Sequence, residues 1–367
     1  MRKSLVAAAL SMGIAAGAHA AVFDSTGQLA PVSISPLMEA GAPPDSPAAR
    51  VDPNALTSPF TGVVSINLRF IDADGVQESF ICSGTAIDPW HVLTAGHCVD
   101  PLDNGVVVDI TKPGNDVRVV LNDSDPFTAA TDLITANRID LNPDFDGFDI
   151  CPDGSIGCVN DDIAILRLSQ ALPSTVQTYQ IYDQPVDPGT IFTMVGYGTS
   201  GDGINGYTVA PSFFVKRTGA NVFDLFDTDD EQNFSASSPA EVWYYDFDGT
   251  KNGQNRDTFC LLGLACGAQL PNNVETNLGG GDSGGPSFVL TPSGYQLVAN
   301  NTFGINFRYG TDNTSGDFGD AGGGILLYSY LDWIRATAIP EPDSLALLAL
   351  GLLVMTTVAR RRSRSGR

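Results

Sequence analysis

The chain has 367 residues, of which 43% are apolar and 17% are charged, and this composition excludes a chain that is disordered throughout. Acidic residues outnumber basic ones by 42 to 19, so the formal net charge is −23. Binding to nucleic acid depends on many Lys and Arg contacts to phosphate, so we expect no nucleic-acid partner.

The first residues carry the pattern of an export signal. Residues 1–20 have a basic start, an apolar run from Leu5 to Ala16, and the tripeptide Ala18-His19-Ala20. This order is typical of a secretory signal peptide, which predicts a secreted or surface protein. Residues 21–57 are rich in Ala, Pro and Ser and show little periodicity, so they predict a propeptide or a linker.

The middle of the chain, residues 58–336, predicts one β-rich domain. Short apolar runs recur from residue 62 onward, and Gly, Pro, Asp and Asn separate them. This spacing is typical of an all-β sandwich or barrel. Only Ile325–Ala336 has a pattern that ends as a helix, after one further strand.

Six cysteines lie in this middle region, at positions 82, 98, 151, 158, 260 and 266. Several connectivities are open in principle. An even number of cysteines in an exported chain favours disulfides over metal ligation. Pairing of nearest neighbours gives Cys82–Cys98, Cys151–Cys158 and Cys260–Cys266.

The C-terminal end carries a second targeting pattern. Residues 337–344 form a linker with Pro340-Glu341-Pro342, the apolar run Leu345–Ala359 follows, and residues 360–367 are rich in Arg. As a helix the run spans about 23 Å, which is short for a membrane core of about 30 Å. A buried core helix is the alternative, but the Arg cluster favours a membrane segment with the body of the chain outside.

This three-part order resembles the PEP-CTERM sorting signal of Gram-negative bacteria. The resemblance implies processing by an exosortase-type membrane protease, followed by release or display at the cell surface. We expect contact with the membrane through this helix, at least transiently.

Three short segments carry residues suited to nucleophilic catalysis. A serine hydroxyl needs a base to take its proton, and the charged imidazole that forms needs a buried carboxylate. His97, Asp162 and Ser283 supply one group of each kind. They lie in the segments Leu93–Cys98, Asp162–Leu166 and Gly281–Pro286.

Glycines around Ser283 predict a second part of the site. Attack on an amide creates an oxyanion, which the backbone N–H groups of Gly281 and Ser283 are placed to bind as an oxyanion hole. Asp282, between them, is suited to a buried ion pair that holds the loop in shape.

The three segments together resemble the chymotrypsin/trypsin-like serine proteases over roughly residues 58–336. The boxes read Thr-Ala-Gly-His-Cys, Asp-Ile-Ala-Ile-Leu and Gly-Asp-Ser-Gly-Gly-Pro. The resemblance implies two six-stranded antiparallel β-barrels with the active site in the cleft, and a boundary near Gln184–Gly189. It also implies a bridge between Cys82 and Cys98 beside the catalytic histidine.

The same resemblance implies a zymogen and a specificity pocket. Cleavage of the Arg50–Val51 bond would free the amino group of Val51 to pair with Asp282. The pocket would have Asn277 at its base and would be lined by Thr302, Gly304 and Gly322. Asn277 does not neutralise a cation, so we expect a preference for uncharged, medium-to-large side chains.

Each assignment has an alternative. Gly281–Gly285 also fits the nucleophile elbow of α/β-hydrolases, but that fold needs a histidine after the serine, and none follows His97. His91 lies on an apolar run and Asp161 lacks the motif position of Asp162, so we favour His97 and Asp162. The acidic stretches Asp140–Asp153, Asp224–Glu231 and Asp246–Asp257 lack EF-hand spacing, so they predict solvated loops, with no metal and no cofactor.

The sequence therefore predicts an exported serine endopeptidase that acts on a protein or peptide substrate through an acyl-enzyme. The alternative is a catalytically silent homologue that serves as a surface or matrix binding module. Such homologues usually lose a member of the triad, and here all of its members are present.

Overall fold

The computed structural model describes residues 20–23, 29–32, 37–52, 57–121 and 132–338. The predicted signal peptide, apart from Ala20, lies outside this range, as do Pro340-Glu341-Pro342, the apolar run Leu345–Ala359 and the basic tail. Within the described ranges, no helix has both the length and the apolar character needed to cross a membrane.

The first half of the described chain is a closed barrel. The strands of this half are β1 (Ala20–Phe23), β2 (Leu29–Val32), β3 (Leu37–Met38), β4 (Val63–Ile71), β5 (Gln77–Asp88), β6 (His91–Thr94), β7 (Asp116–Leu121), β8 (Asp132–Leu141) and β9 (Ala164–Leu168). Six of them close in the order β4-β5-β6-β9-β8-β7. Alternate residues of β4, from Val64 to Phe70, enter the barrel core, as the two-residue period of a strand requires.

The second half is built on a seven-stranded antiparallel sheet. Its strands are β10 (Ile191–Gly196), β11 (Ser200–Asp202), β12 (Gly206–Val209), β13 (Arg217–Val222), β14 (Leu225–Thr228), β15 (Ala240–Asp246), β16 (Thr250–Lys251), β17 (Gln254–Asn255), β18 (Leu278–Gly279), β19 (Pro286–Thr291), β20 (Gly294–Ile305), β21 (Phe307–Tyr309) and β22 (Ala321–Leu326). The sheet has the order β13-β10-β19-β20-β22-β15-β14.

Short helices complete this half: α1 (Thr258–Leu261), a 3-10 turn (Leu327–Tyr330) and α2 (Leu331–Ala338). The all-β class and the short C-terminal helix are therefore confirmed. The second unit differs from the expected six strands because β14 turns back on β15 and adds a strand at the edge of the sheet.

A shared apolar core joins the two halves. Leu93, Ile163 and Ile165 from the barrel pack in one buried cluster with Val195 and Phe288 from the sheet. All five side chains are fully buried. The loops that carry the predicted catalytic residues start at the ends of these same strands, so the core fixes their relative positions.

Part of the predicted propeptide or linker packs into the second half. Strand β3 pairs with β18, the strand that leads into the Ser283 loop. The Arg50 side chain is buried, with its guanidinium 2.6 Å from Asp45 and bonded to the backbone oxygens of Val274 and Glu275. Residues 37–52 are thus bound by many polar contacts, which a linker does not need.

The disulfide prediction is confirmed. The structure joins Cys82 to Cys98, Cys151 to Cys158 and Cys260 to Cys266. The first bridge links β5 to the segment just after His97, and the other two close short loops.

Candidate active site

His97 and Asp162 form a close pair at the barrel end. Nδ1 of His97 lies 2.7 Å from Oδ2 of Asp162, and the backbone N–H of His97 donates to Oδ1 at 2.8 Å. Asp162 is fully buried, whereas the imidazole keeps 23% of its surface exposed. The carboxylate therefore fixes both the ring and the backbone of His97, and the opposite edge of the ring remains accessible.

The environment of His97 favours its charged form. Burial lowers the pKa of His97, but the charge and hydrogen bond of Asp162 outweigh this effect, and the pKa is raised above its ordinary value. An imidazole with this tuning holds a proton firmly after taking it, which is what a general base followed by a general acid needs.

Ser283 lies on a tight loop between β18 and β19, held by Ser83 of the barrel. The backbone N–H of Ser83 donates to the carbonyl oxygen of Ser283 at 2.8 Å, and the Ser83 hydroxyl donates to that of Gly281 at 2.8 Å. Gly284 has φ +75°, and a Cβ there would lie 2.1 Å from Thr94 Oγ1. Only glycine allows the loop to approach the barrel this closely.

The Cys98 sulfur stands between the two groups. It lies 3.8 Å from Nε2 of His97 and 3.6 Å from the carbonyl oxygen of Ser283. The structure therefore brings His97, Asp162 and Ser283 to one place between the two halves. Among the described residues, the Ser283 hydroxyl has no hydrogen-bond partner.

The predicted oxyanion donors are also unengaged. Across the described ranges, the backbone N–H groups of Gly281 and Ser283 donate to no protein oxygen. Gly281 has φ +106°, a conformation that favours glycine. Two free donors beside a serine hydroxyl are the arrangement that binding an oxyanion requires.

Asp282 is buried beneath this loop and bonded to backbone. Its Oδ1 accepts from Gly198 N–H and its Oδ2 from Gly279 N–H, both at 2.7 Å. A Cβ on Gly196 would lie 2.1 Å from Oδ1, so the Gly196-Tyr197-Gly198 segment makes room for this carboxylate. Burial raises the pKa of Asp282 to about 7, against the lowering effects of the Gly198 hydrogen bond and the Arg217 charge.

The predicted pair of Val51 and Asp282 is not present in the uncleaved chain. Val51 forms a bridge with Arg217, and its neighbour Arg50 is buried. The cation whose charge acts on Asp282 is Arg217, and no motif in the sequence singles out this residue. Activation by a new amino group at Val51 stays a prediction.

The predicted specificity residues come together, but a further side chain lies among them. The Tyr245 hydroxyl donates to Asn277 Oδ1 at 2.7 Å and accepts from Leu278 N–H at 2.9 Å. A Cβ on Gly322 would lie 2.5 Å from the same hydroxyl, and Gly304 pairs with Gly322. Thr302 is also buried, with its hydroxyl lacking a partner among the described residues.

Tyr245 was missed by sequence reasoning. It ends the aromatic run Trp243–Tyr245 on β15, a pattern that predicts a buried strand but not contact with Asn277. No local signal connects the two residues, because they are 32 positions apart in the sequence. They meet only in the folded chain, where the Asn221 amide donates to the carbonyl oxygens of Asp246 and Thr276.

The alternatives to the triad residues have other partners. His91 Nδ1 lies 2.7 Å from Asp88 Oδ2, at the turn between β5 and β6. Asp161 belongs to a group of carboxylates with Asp230, Glu231 and Glu241. A second such group is formed by Asp246, Asp248 and Asp257. A third group with metal-binding atoms, Cys82, His97 and Cys98, has both of its sulfurs in a disulfide, so the two acidic groups are better suited to hold a metal.

Comparison with known proteins agrees with this geometry. Residues 54–210 match the family model described as Trypsin. A mouse protein named Tryptase is 31% identical over 150 residues, which are 39% of this chain and 46% of that protein. Brachyurin of Leptuca pugilator is 25% identical over 129 residues, which are 35% of this chain and 49% of that protein.

The resemblance to trypsin-like serine proteases is therefore confirmed. The chain spans about half the length of the curated relatives it matches. The trypsin-type match includes His97 and Asp162 and ends before Ser283. A solved structure titled HL collagenase is 19% identical, with a TM-score of 0.43, and covers 77% of this chain and 95% of its own.

The C-terminal motif is confirmed in the same way. Residues 338–363 match the PEP-CTERM protein-sorting motif. This trypsin-like chain therefore combines a protease-type domain with a motif used in protein sorting.

Proposed function

We propose that this chain is an exported serine endopeptidase with His97, Asp162 and Ser283 as its catalytic triad. The observation that carries the proposal is the 2.7 Å pair of His97 and buried Asp162, which faces the Ser283 loop across the two halves. The match to the Trypsin family and to protease relatives supports the same chemistry.

The reaction follows from the roles of the three groups. His97 takes the proton of the Ser283 hydroxyl while the serine oxygen bonds to the substrate carbonyl carbon. The N–H groups of Gly281 and Ser283 bind the oxyanion. His97 then gives its proton to the leaving amine as the C–N bond breaks, which leaves an acyl-enzyme.

Water completes the cycle. His97 takes a proton from the water as the water oxygen attacks the acyl carbon, and returns it to Ser283 when the ester bond breaks. Asp162 keeps its negative charge throughout and stabilises the imidazolium.

A fluorophosphonate probe tests the proposal directly. We expect one covalent adduct, which peptide mass spectrometry places on Ser283, together with hydrolysis of a casein substrate. Ser283→Ala should lose both the label and the activity, whereas Ser237→Ala, a change at an exposed serine, should keep both. A folded, processed protein that takes no label on Ser283 would instead support a silent homologue with a binding role.

Sorting forms a second part of the proposal. We infer that the chain is exported across the inner membrane of a Gram-negative cell and processed near its PEP-CTERM motif by an exosortase-type protease, with the apolar run Leu345–Ala359 in the membrane at least transiently. The intact mass of the mature protein tests this, because processing removes C-terminal residues. A mature chain that still ends at Arg367 would contradict it.

A further inference from the structure

Four carboxyl groups converge beside the candidate active site. They belong to Asp161, Asp230, Glu231 and Glu241, and one oxygen of each lies within 4.8 Å of one oxygen of every other. Asp161 precedes the triad residue Asp162, the next two follow β14, and Glu241 lies on β15. Residues from distant parts of the chain are thus held around one point.

Burial makes this convergence unfavourable without a counter-charge. Asp161 and Asp230 keep only 4% and 8% of their surface exposed, and Glu241 keeps 7%. None of the ion pairs in the described part of the chain includes any member of the group. Buried carboxylates that lack a cationic partner are strongly destabilising when ionised.

One oxygen of the group lacks any partner. Asp230 Oδ1 is buried and forms no hydrogen bond with the described residues. The neighbouring Asp229 differs, because Gln232 donates its backbone N–H to Oδ1 at 2.8 Å and its side-chain amide to Oδ2 at 2.5 Å. The unpartnered oxygen of Asp230 is therefore available to a ligand, whereas both oxygens of Asp229 are used within its own loop.

Burial raises the pKa values of several of these carboxyl groups. Burial, together with the charges of neighbouring acids, raises the pKa of Asp161 to about 9 and that of Asp230 to about 8. Burial likewise raises the pKa of Glu241 to about 7, although Asn160 donates to its Oε2 at 2.9 Å. A bound cation removes this penalty, because it favours the ionised forms.

We propose that Asp161, Asp230, Glu231 and Glu241 form a calcium site. All of the donors are oxygens, and Ca²⁺ takes six to eight oxygen ligands at roughly 2.3–2.6 Å in flexible geometry. Zinc prefers nitrogen and sulfur, and Mg²⁺ demands a stricter octahedron. An adjoining cavity of about 350 Å³, lined by Asp161, Glu231 and Glu241, leaves room for water at the remaining positions.

The site has a consequence for the neighbouring triad residue. Asp161 has φ +60°, a strained conformation for a residue other than glycine, and it directly precedes Asp162. A cation that holds the Asp161 carboxylate also holds this backbone, so it stabilises the position from which Asp162 reaches His97. Asp161 is thus a positioning residue.

Isothermal titration of the chelated full chain with CaCl₂ tests the site without measuring proteolysis. We expect the wild type to bind Ca²⁺ with a Kd below about 1 mM, the range of extracellular calcium modules. Asp230→Asn and Glu231→Gln should each weaken this binding at least about tenfold, because fewer charged ligands lower calcium affinity. Asp183→Asn, which removes the same charge at an exposed position that does not line the cavity, should keep it.

Three results would overturn the proposal: no calcium binding by the wild type, equal binding by the variants, or Mg²⁺ binding as tight as that of Ca²⁺. Glu231 is exposed, so Glu231→Gln should leave the fold intact. Its calcium affinity therefore tests the site even if Asp230→Asn fails to fold. A protein that takes the fluorophosphonate label but binds no calcium would refute this site and leave the proposed protease function standing.

Discussion

The Tyr245 hydroxyl donates a 2.7 Å hydrogen bond to Asn277 Oδ1, and both residues are buried. The same hydroxyl occupies the space that a side chain on Gly322 would fill. The phenol therefore stands across the base of the predicted specificity pocket. The size of this phenol ring limits the volume of the substrate side chain that the pocket accepts, and the lack of a charge at Asn277 disfavours a cationic one.

Substrate preference should follow this shape. We expect kcat/KM for peptides with Ala or Ser before the cleaved bond to exceed that for Phe or Arg by about tenfold or more, since a pocket discriminates about 10- to 200-fold per methylene. This replaces the sequence-based expectation of medium-to-large side chains, because the Tyr245 phenol fills space at the base of the pocket. Assays with a peptide library that varies the residue before the cleaved bond measure these kcat/KM ratios.

Tyr245→Ala should move the preference toward Leu and Phe, because it opens the base of the pocket. Tyr182→Ala, a change at a tyrosine packed on the same core cluster, is the matched control and should leave the preference unchanged. A wild-type enzyme that favours Arg or Lys would show that this account of the pocket is wrong.

Asp162→Asn should lower kcat by about four orders of magnitude, because the amide no longer holds the required imidazole tautomer. Asp88→Asn is its control, since Asp88 also lies 2.7 Å from a histidine, His91, outside the proposed triad. In steady-state assays we expect Asp88→Asn to have a kcat close to that of the wild type. Equal losses in both would mean that the effect is structural.

The pH profile should report the raised pKa of His97. A general base acts only when neutral, so kcat/KM should rise with pH through an acid limb above the ordinary histidine pKa of about 6.5. Asp162→Asn removes the charge that raises this pKa, and the limb should then shift to lower pH. NMR titration of His97 in Ser283→Ala gives the same pKa without turnover, and a value below the ordinary one would contradict the prediction.

Stability in a chelator should fall as pH rises from about 5 to 8. Burial raises the pKa of Asp161 to about 9, of Asp248 to about 9 and of Glu275 to about 8. The folded chain therefore binds more protons than the unfolded chain in this window, and each rise in pH favours unfolding. Burial also lowers the pKa of Lys216 to about 8, which opposes the trend only at higher pH.

Thermal melting at pH 5, 6.5 and 8 in EDTA measures how stability changes with pH. Asp161→Asn should make the decrease in Tm with pH smaller, because the neutral amide does not ionise. A Tm that increases across the same interval would contradict the prediction.

The Arg50–Val51 bond should resist proteolysis in the folded chain. Arg50 is 6% exposed, and the bond is followed by the bridge between Val51 and Arg217. Trypsin added to native protein should therefore give no new terminus at Val51, as N-terminal sequencing would show. Asp45→Ala removes the ion pair of Arg50 and should increase cleavage there. A rapid cut at Val51 in the wild type, with a gain of activity, would instead support the zymogen expectation.

Local motifs made the barrel, the disulfides and the pair of His97 and Asp162 predictable. Alternation of apolar residues indicates which face of a strand is buried. The motifs around His97 and Asp162 are short, so they can be recognised in the sequence without knowledge of the fold. The nearest-neighbour pairing of cysteines succeeded for the same reason, since each bridge joins residues close in the sequence.

Contacts between distant segments were not predictable. Tyr245 reaches Asn277 only in the folded chain, where Asn221 bonds to a neighbour of each residue. The packing of Arg50 depends on the segment around Glu275. Asp230 was predicted to be a solvated loop acid, and Asp161 was considered only as an alternative to Asp162, because no spacing rule connects residues so far apart. Composition predicted a propeptide or linker over residues 21–57, but it does not report the backbone and side-chain hydrogen bonds that hold residues 37–52 to the second half.

The bridge between Cys82 and Cys98 relates the site to the compartment in which the chain folds. Cys82 precedes Ser83, which holds the Ser283 loop, and Cys98 follows His97. One covalent bond therefore connects the segment that supports Ser283 to the segment that carries His97. In the reducing cytoplasm this bond is absent. If the chain is exported as we propose, a newly made copy lacks part of the alignment of its proposed triad until it has left the compartment that holds the proteins of its own cell.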